Sequence, residues 1–118
     1  MPDGGQKPAV KEAVAQELAL ALMGDCPLSS GAIAEGATWQ KGSATLIGRE
    51  AIVGAIKPTA TVITIDEIVT HGKAAAVSGK MRDDSGQTRL FCHMIRFTSA
   101  SARHVASIVS FEHPVGAK

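Results

Sequence analysis

The segment Phe91-Cys92-His93-Met94-Ile95-Arg96-Phe97 holds the side chain of this sequence best suited to chemistry near neutral pH. An imidazole changes charge close to physiological pH, so His93 is equipped to move a proton or to orient a ligand. Side chains alternate along an extended chain, which puts Phe91, His93, Ile95 and Phe97 on one face and Leu90, Cys92, Met94 and Arg96 on the other. A histidine in such apolar company is either an acid/base or ligand-orienting group, or a core residue satisfied by a backbone carbonyl or water. The residues alone leave both open. Trp39 is likewise a cavity-lining or a core side chain. Asp66 and Glu67 are adjacent in an extended run, so one of them points inward if that run is covered on both sides, and it would then support His93; otherwise both sit at the rim. His71 lies in a turn beside Gly72, and His104 and His113 flank the ends of the final strand, so all three are expected at the periphery. Cys92 and His93, being neighbours, face opposite ways, and no His/Cys set has metal-ligand spacing. No metal and no cofactor are expected.

The composition narrows the function class. The chain has 118 residues, 45% of them hydrophobic but only 3% aromatic, and a formal charge of +1 from 12 basic and 11 acidic side chains. It is long enough for one domain with a real core and no staples. That core must be built mainly from Ala, Val, Ile and Leu. No basic stripe exists, and one tryptophan without any tyrosine offers little for bases to stack on, which argues against nucleic acid. No apolar run approaches the ~20 residues that span a bilayer, and the first residues lack the pattern of a signal peptide. Cys26 and Cys92 fit no disulfide framework, so reduced thiols in a cytoplasmic protein are expected.

The elements that must position His93 can be read from period and punctuation. Residues 1–6 read as a disordered leader, and Pro8 suits a first helical turn. Val10, Val14, Leu18 and Leu22 recur at spacings of four, which predicts a helix over 8–23 that stops at Gly24. Ser29 or Ser30 caps a short second helix to about Glu35, and 37–40 reads as a short strand followed by a loop at 41–44. A third helix is expected over 48–56, ended by Pro58. From residue 59 the period changes. The β-branched run Thr61–Val69, then 74–82, 87–98 and 103–112, read as four strands joined by turns. Helices followed by a meander of hairpins predict an α+β fold with an antiparallel sheet, in one domain over 7–113 with a tail at 114–118.

The third of those long strands is apolar on both faces, whereas an antiparallel strand with one wet face should alternate cleanly. Three short helices cover both sides only with difficulty; either the long helix wraps one side and the other stays partly exposed, or a second copy covers it. A homodimer through the outer sheet face is the simplest source of the missing cover.

In order and spacing these pieces resemble the nuclear transport factor 2-like superfamily. Trp39 with Gly48-Arg49-Glu50-Ala51-Ile52 is similar to its "W…G…G-x-x-A-I" stretch, and Ile68-Val69-Thr70-His71-Gly72-Lys73 to its first hairpin. Phe91–Phe97, followed by Val105-Ala106-Ser107-Ile108-Val109-Ser110-Phe111, resembles its "F-C-D-x-x-R-F … I-x-x-I-x-S-Y" ending. The likeness spans about 9–112. It implies a curved antiparallel sheet wrapped by three N-terminal helical segments into a cone, whose cavity takes a small hydrophobic molecule. Trp39, Phe91, His93, Ile95, Phe97, Val109 and Phe111 are expected to line that cavity. SnoaL-like cyclases, ketosteroid isomerases, scytalone dehydratase and limonene epoxide hydrolase use such a cavity; transport factors and association domains share the fold without chemistry, so the fold names no reaction. His93 falls where isomerases and SnoaL-like enzymes carry an acidic group. The isomerase base has no counterpart in Trp39-Gln40-Lys41, its helix-one tyrosine is missing, and the epoxide hydrolase arginine with its flanking acids is not recognisable. Binding of an apolar molecule is therefore the leading expectation. Cofactor-free isomerisation, cyclisation or dehydration with His93 as catalytic acid/base is the alternative.

Overall fold

A computed structural model of the chain describes residues 7–28, 30–57, 60–99 and 103–115. The expected leader at 1–6 and the helix stop at Pro58 lie outside them. Helix α1 runs Lys7–Leu22 and turns Ala15, Leu18, Ala19 and Leu22 into the core, one apolar face at helical spacing. Its end is a Schellman closure: the Gly24 N–H donates to the Ala21 carbonyl (3.0 Å) and that of Asp25 to Leu20 (2.9 Å), with Gly24 at φ 80°. Glycine takes that left-handed geometry without the Cβ penalty, which is why the helix stops where the sequence indicates.

The expected second helix does not form. Only a 3-10 turn, Ser30–Ala32, precedes strand β1 at Ile33–Lys41. Gly31 within the expected helix is a poor helix former, and the inward-facing Ile33, Ala37 and Trp39 gain more from the core than a short capped helix would return. The loop expected at 41–44 is a tight hairpin, with β2 at Ala44–Ile47 paired back onto Thr38–Lys41. Helix α2 spans Arg49–Gly54 and buries Ile52. The four long strands follow as β3 (Ala60–His71), β4 (Ala74–Asp83), β5 (Thr88–Phe97) and β6 (Val105–Pro114). Pro114 pairs with Arg89 and so belongs to the sheet rather than to a tail.

The six strands form one curved sheet in the order β2-β1-β6-β5-β4-β3. Four neighbour pairs are antiparallel, but β1 and β6 run parallel, a mixed element in a sheet expected to be antiparallel throughout. Parallel neighbours need a long crossover, and here everything from β2 to β5 supplies it. The curl is set in β3. Its register shifts between Ile65, opposite Gly79, and Glu67, opposite Ser78, so Asp66 is an extra residue that bends the strand. The bent strand presses so close to Gly79 that a Cβ there would overlap the Thr64 carbonyl oxygen. The bulge also decides between the two expected placements of the acidic pair, in favour of the rim. Asp66 and Glu67 are both exposed, because the extra residue breaks the alternation that would have sent one inward. Helix α1 lies against β3 and β4, and α2 against β1 and β2, so β5 and β6 run between the two helices.

Candidate functional site

Alternation along β5 sends Phe91, His93, Ile95 and Phe97 to the inner face, and each of them is buried. Antiparallel pairing then decides which residues of β6 join them. His93 stands opposite Ser110 and Ile95 opposite Ile108, so Ser110 and Ile108 face inward. Val109 and Phe111, expected beside His93, are on the opposite face: they pair with Met94 and Cys92, and Phe111 is 54% exposed. Trp39 reaches the inner group from β1, where it lies beside Ile108. Five of the seven expected residues are thus brought together and two are not. Ser110, a position of the resembled ending that was not among the expected lining residues, takes their place.

His93 is 2% exposed. Its Nδ1 lies 2.7 Å from Ser110 Oγ, which also accepts a hydrogen bond from Trp39 Nε1 at 2.8 Å. The three side chains come from β5, β6 and β1 and form one buried polar chain in an apolar surround. The other ring nitrogen, Nε2, is buried with no hydrogen-bond partner among the described residues. Phe91 packs on the ring with centroids 5.4 Å apart. Burial, reinforced by the Lys41 ammonium, pushes the His93 pKa down to about 4. Lys41 itself lies over the Trp39 ring at 4.9 Å, a cation–π contact. The imidazole is therefore neutral at physiological pH: one nitrogen donates and the other accepts.

The outer face has a different character. Rows running across the strands bring Val69, Ala76, Met94 and Val109 together, then Glu67, Ser78, Cys92 and Phe111. Val69 and Met94 are 53% and 50% exposed, and Ile47, Val62 and Leu90 lie on the same side. Two shallow concavities of about 320 and 380 Å³ open side by side on this face. The first carries Arg96 and His71 and the second Asp66 and Glu112, and His93 lines neither. Cys26 and Cys92 are free thiols, and burial pushes both above the usual range, so neither is an activated nucleophile. His71, His104 and His113 are exposed, as expected. Among the described residues no group of three or more His, Cys, Asp or Glu is placed to hold a metal, and no helix is long and apolar enough to cross a membrane.

No protein-family profile matches the sequence, and no curated protein matches it significantly. Solved structures do match. A nuclear transport factor 2-like protein of unknown function from Cytophaga hutchinsonii is 18% identical, with 86% of this chain and 98% of that one aligned at a TM-score of 0.65. Another of unknown function, from Mesorhizobium loti, is 15% identical over 95% and 96% of the two chains, TM-score 0.70. A candidate isomerase of the SnoaL-like family from Agrobacterium tumefaciens is 13% identical over 87% and 97%, TM-score 0.67. At such identities the likeness is one of fold.

Proposed function

With the nuclear transport factor 2-like fold as its frame, we propose that this chain binds a small, largely apolar molecule on the inner face of the sheet, against His93, and works as a homodimer. The observation that carries the binding role is His93 Nε2, a polar atom buried without a partner among the described residues in an apolar interior. Leaving such an atom unpaired costs about 1–3 kcal/mol, which a ligand atom at hydrogen-bond distance would return. Its place supports the same reading, since β5 and β6 run between the two helices. Acid/base turnover is the weaker reading. A ring that takes up its second proton only near pH 4 is not the acidic imidazolium at neutral pH and is a feeble base, and its Nδ1 partner is a serine rather than a carboxylate.

Trp39 is the single tryptophan of a chain without tyrosine, so its emission reports on this site alone. Titration with 1-indanone, an apolar bicyclic ketone, is expected to change that emission saturably. The His93→Leu variant should weaken the affinity about 10-fold, the worth of one buried hydrogen bond. A change that never saturates would remove the binding role.

The dimer is supported by the outer face, where Val62, Val69, Leu90, Met94 and Phe111 are all exposed. Apolar surface of this extent marks an interaction site. A second copy suits it because the face is complementary to itself. One concavity carries Arg96 and its neighbour Asp66, so a two-fold axis between them sets opposite charges together. Light scattering at micromolar concentration should give twice the chain mass. Met94→Glu with Phe111→Glu should weaken association at least about 100-fold while leaving the 1-indanone response intact. A wild-type monomer would count decisively against the interface.

A further inference from the structure

Ser110 Oγ stands between two nitrogens, Trp39 Nε1 at 2.8 Å and His93 Nδ1 at 2.7 Å, its partners among the described residues. An indole N–H can only donate, so Trp39 occupies a lone pair of the serine oxygen. The serine hydroxyl has one hydrogen to place. Directed at His93 Nδ1, it completes a second hydrogen bond. If Nδ1 carried the hydrogen instead, the hydroxyl hydrogen would be left without an acceptor in the interior, and a buried hydroxyl in that state is disfavoured. Nδ1 therefore accepts. A neutral imidazole whose Nδ1 accepts holds its hydrogen on Nε2, which is the atom buried without a partner among the described residues.

We propose that Trp39 and Ser110 are positioning residues that lock His93 as an Nε2–H donor, so that the molecule bound here presents a hydrogen-bond acceptor to it: the carbonyl of a ketone, ester or lactone on an apolar skeleton. The acceptor preference rests on the ligand-binding role of His93; the lock itself does not. Selectivity follows from the unmet donor. An apolar ring of the same size without an oxygen leaves Nε2–H unpaired, and one that carries its own N–H sets two donors against each other. Sites built around a polar contact discriminate chiefly by this penalty on the wrong molecule.

Long-range proton–nitrogen NMR of the histidine-labelled wild-type chain reads directly which ring nitrogen of His93 bears hydrogen. The expected spectrum shows a single tautomer with the hydrogen on Nε2. Ser110→Ala should give a mixture of tautomers, Ser110→Thr should restore the wild-type pattern, and Trp39→Phe should shift it part of the way. A merely structural role for these residues would leave the nitrogen signals unchanged. The same sample titrated with 1-indanone, indane and indole should bind the ketone about 10-fold tighter than either of the others, with the preference largely lost in Ser110→Ala. Hydrogen on Nδ1 in the wild type overturns the lock, and a variant that fails to fold does not affect that result. Equal binding of the three molecules overturns the acceptor preference while leaving ligand binding intact. If none of them binds, the ligand role falls and the preference with it, whereas the tautomer measured in the free protein still decides the lock.

Discussion

Replacing Gly79 with alanine is expected to destabilise the protein by about 3 kcal/mol or more, the upper range for overpacking a tight site. For a domain of this size that lowers the melting temperature by roughly 12 °C. The added Cβ would overlap the Thr64 carbonyl oxygen and crowd the Asp66 backbone nitrogen. Both are main-chain atoms of β3, so no side-chain rotation relieves the contact. The strand would have to straighten at its bulge, and the curl of the sheet would go with it. Ser78→Ala, one position along on the outer face, serves as the control and should change stability little. Thermal unfolding of the two variants checks the argument, and a Gly79→Ala shift of only a degree or two would mean that the bulge yields readily.

Stability should also fall as the pH drops from about 6.5 to about 4. The histidine of an unfolded chain takes up a proton near pH 6.5, whereas His93 in the folded protein does so only near pH 4, because burial and the Lys41 ammonium disfavour the charged ring. Between those values the unfolded state holds a proton that the folded state lacks, so stability is lost on acidification at about 1.4 kcal/mol per pH unit, roughly 3 kcal/mol over the window. Above pH 6.5 the contribution is complete. Below pH 4 both states are protonated and the loss stops. Asp83, held below the usual carboxylate range chiefly by its hydrogen bond from Ser85, adds a loss in the same direction at still lower pH. Urea unfolding of wild type and His93→Gln across pH 4–7 isolates the imidazole, since the variant lacks this slope; parallel profiles for the two would refute the assignment.

The parts of the fold legible in the sequence were those governed by local rules. Helix α1 is set by its apolar spacing and its Gly24 stop, β3 by its β-branched run, and β4 and β5 by the turn residues that bound them, so Phe91, His93, Ile95 and Phe97 could be placed on one face. What stayed hidden depends on pairing between distant segments. Strand β1 is weak as a local pattern, with Glu35 and Gly36 in its middle, and is a strand because β6 and β2 lie on either side of it. The facing of β6 hinges on register, and a slip of one residue reverses every side chain. Phe111 has the composition of a core residue and Ser110 does not, yet the pairing of His93 with Ser110 sends the serine inward. The nuclear transport factor 2-like resemblance anticipated a polar group at position 93, but the partners that define its chemistry came only with the register.

Strand β6, last in chain order, lies near the middle of the sheet, between β1 and β5. Until residues 105–114 are available, β1–β2 and β3–β4–β5 are two separate pieces, each with an unpaired inner edge. The contact that joins them, β1 to β6, closes a loop of about seventy residues, and contacts so distant in sequence form slowly. A chain still being synthesised thus holds two open strand edges at once, the state most prone to pairing with another chain. Trp39, Ser110 and His93 lie across this seam, so their hydrogen-bonded chain cannot assemble before β6 docks. The placement of one strand sets the order of events: the sheet is completed, and the donor that would meet a ligand is locked, in the same late step.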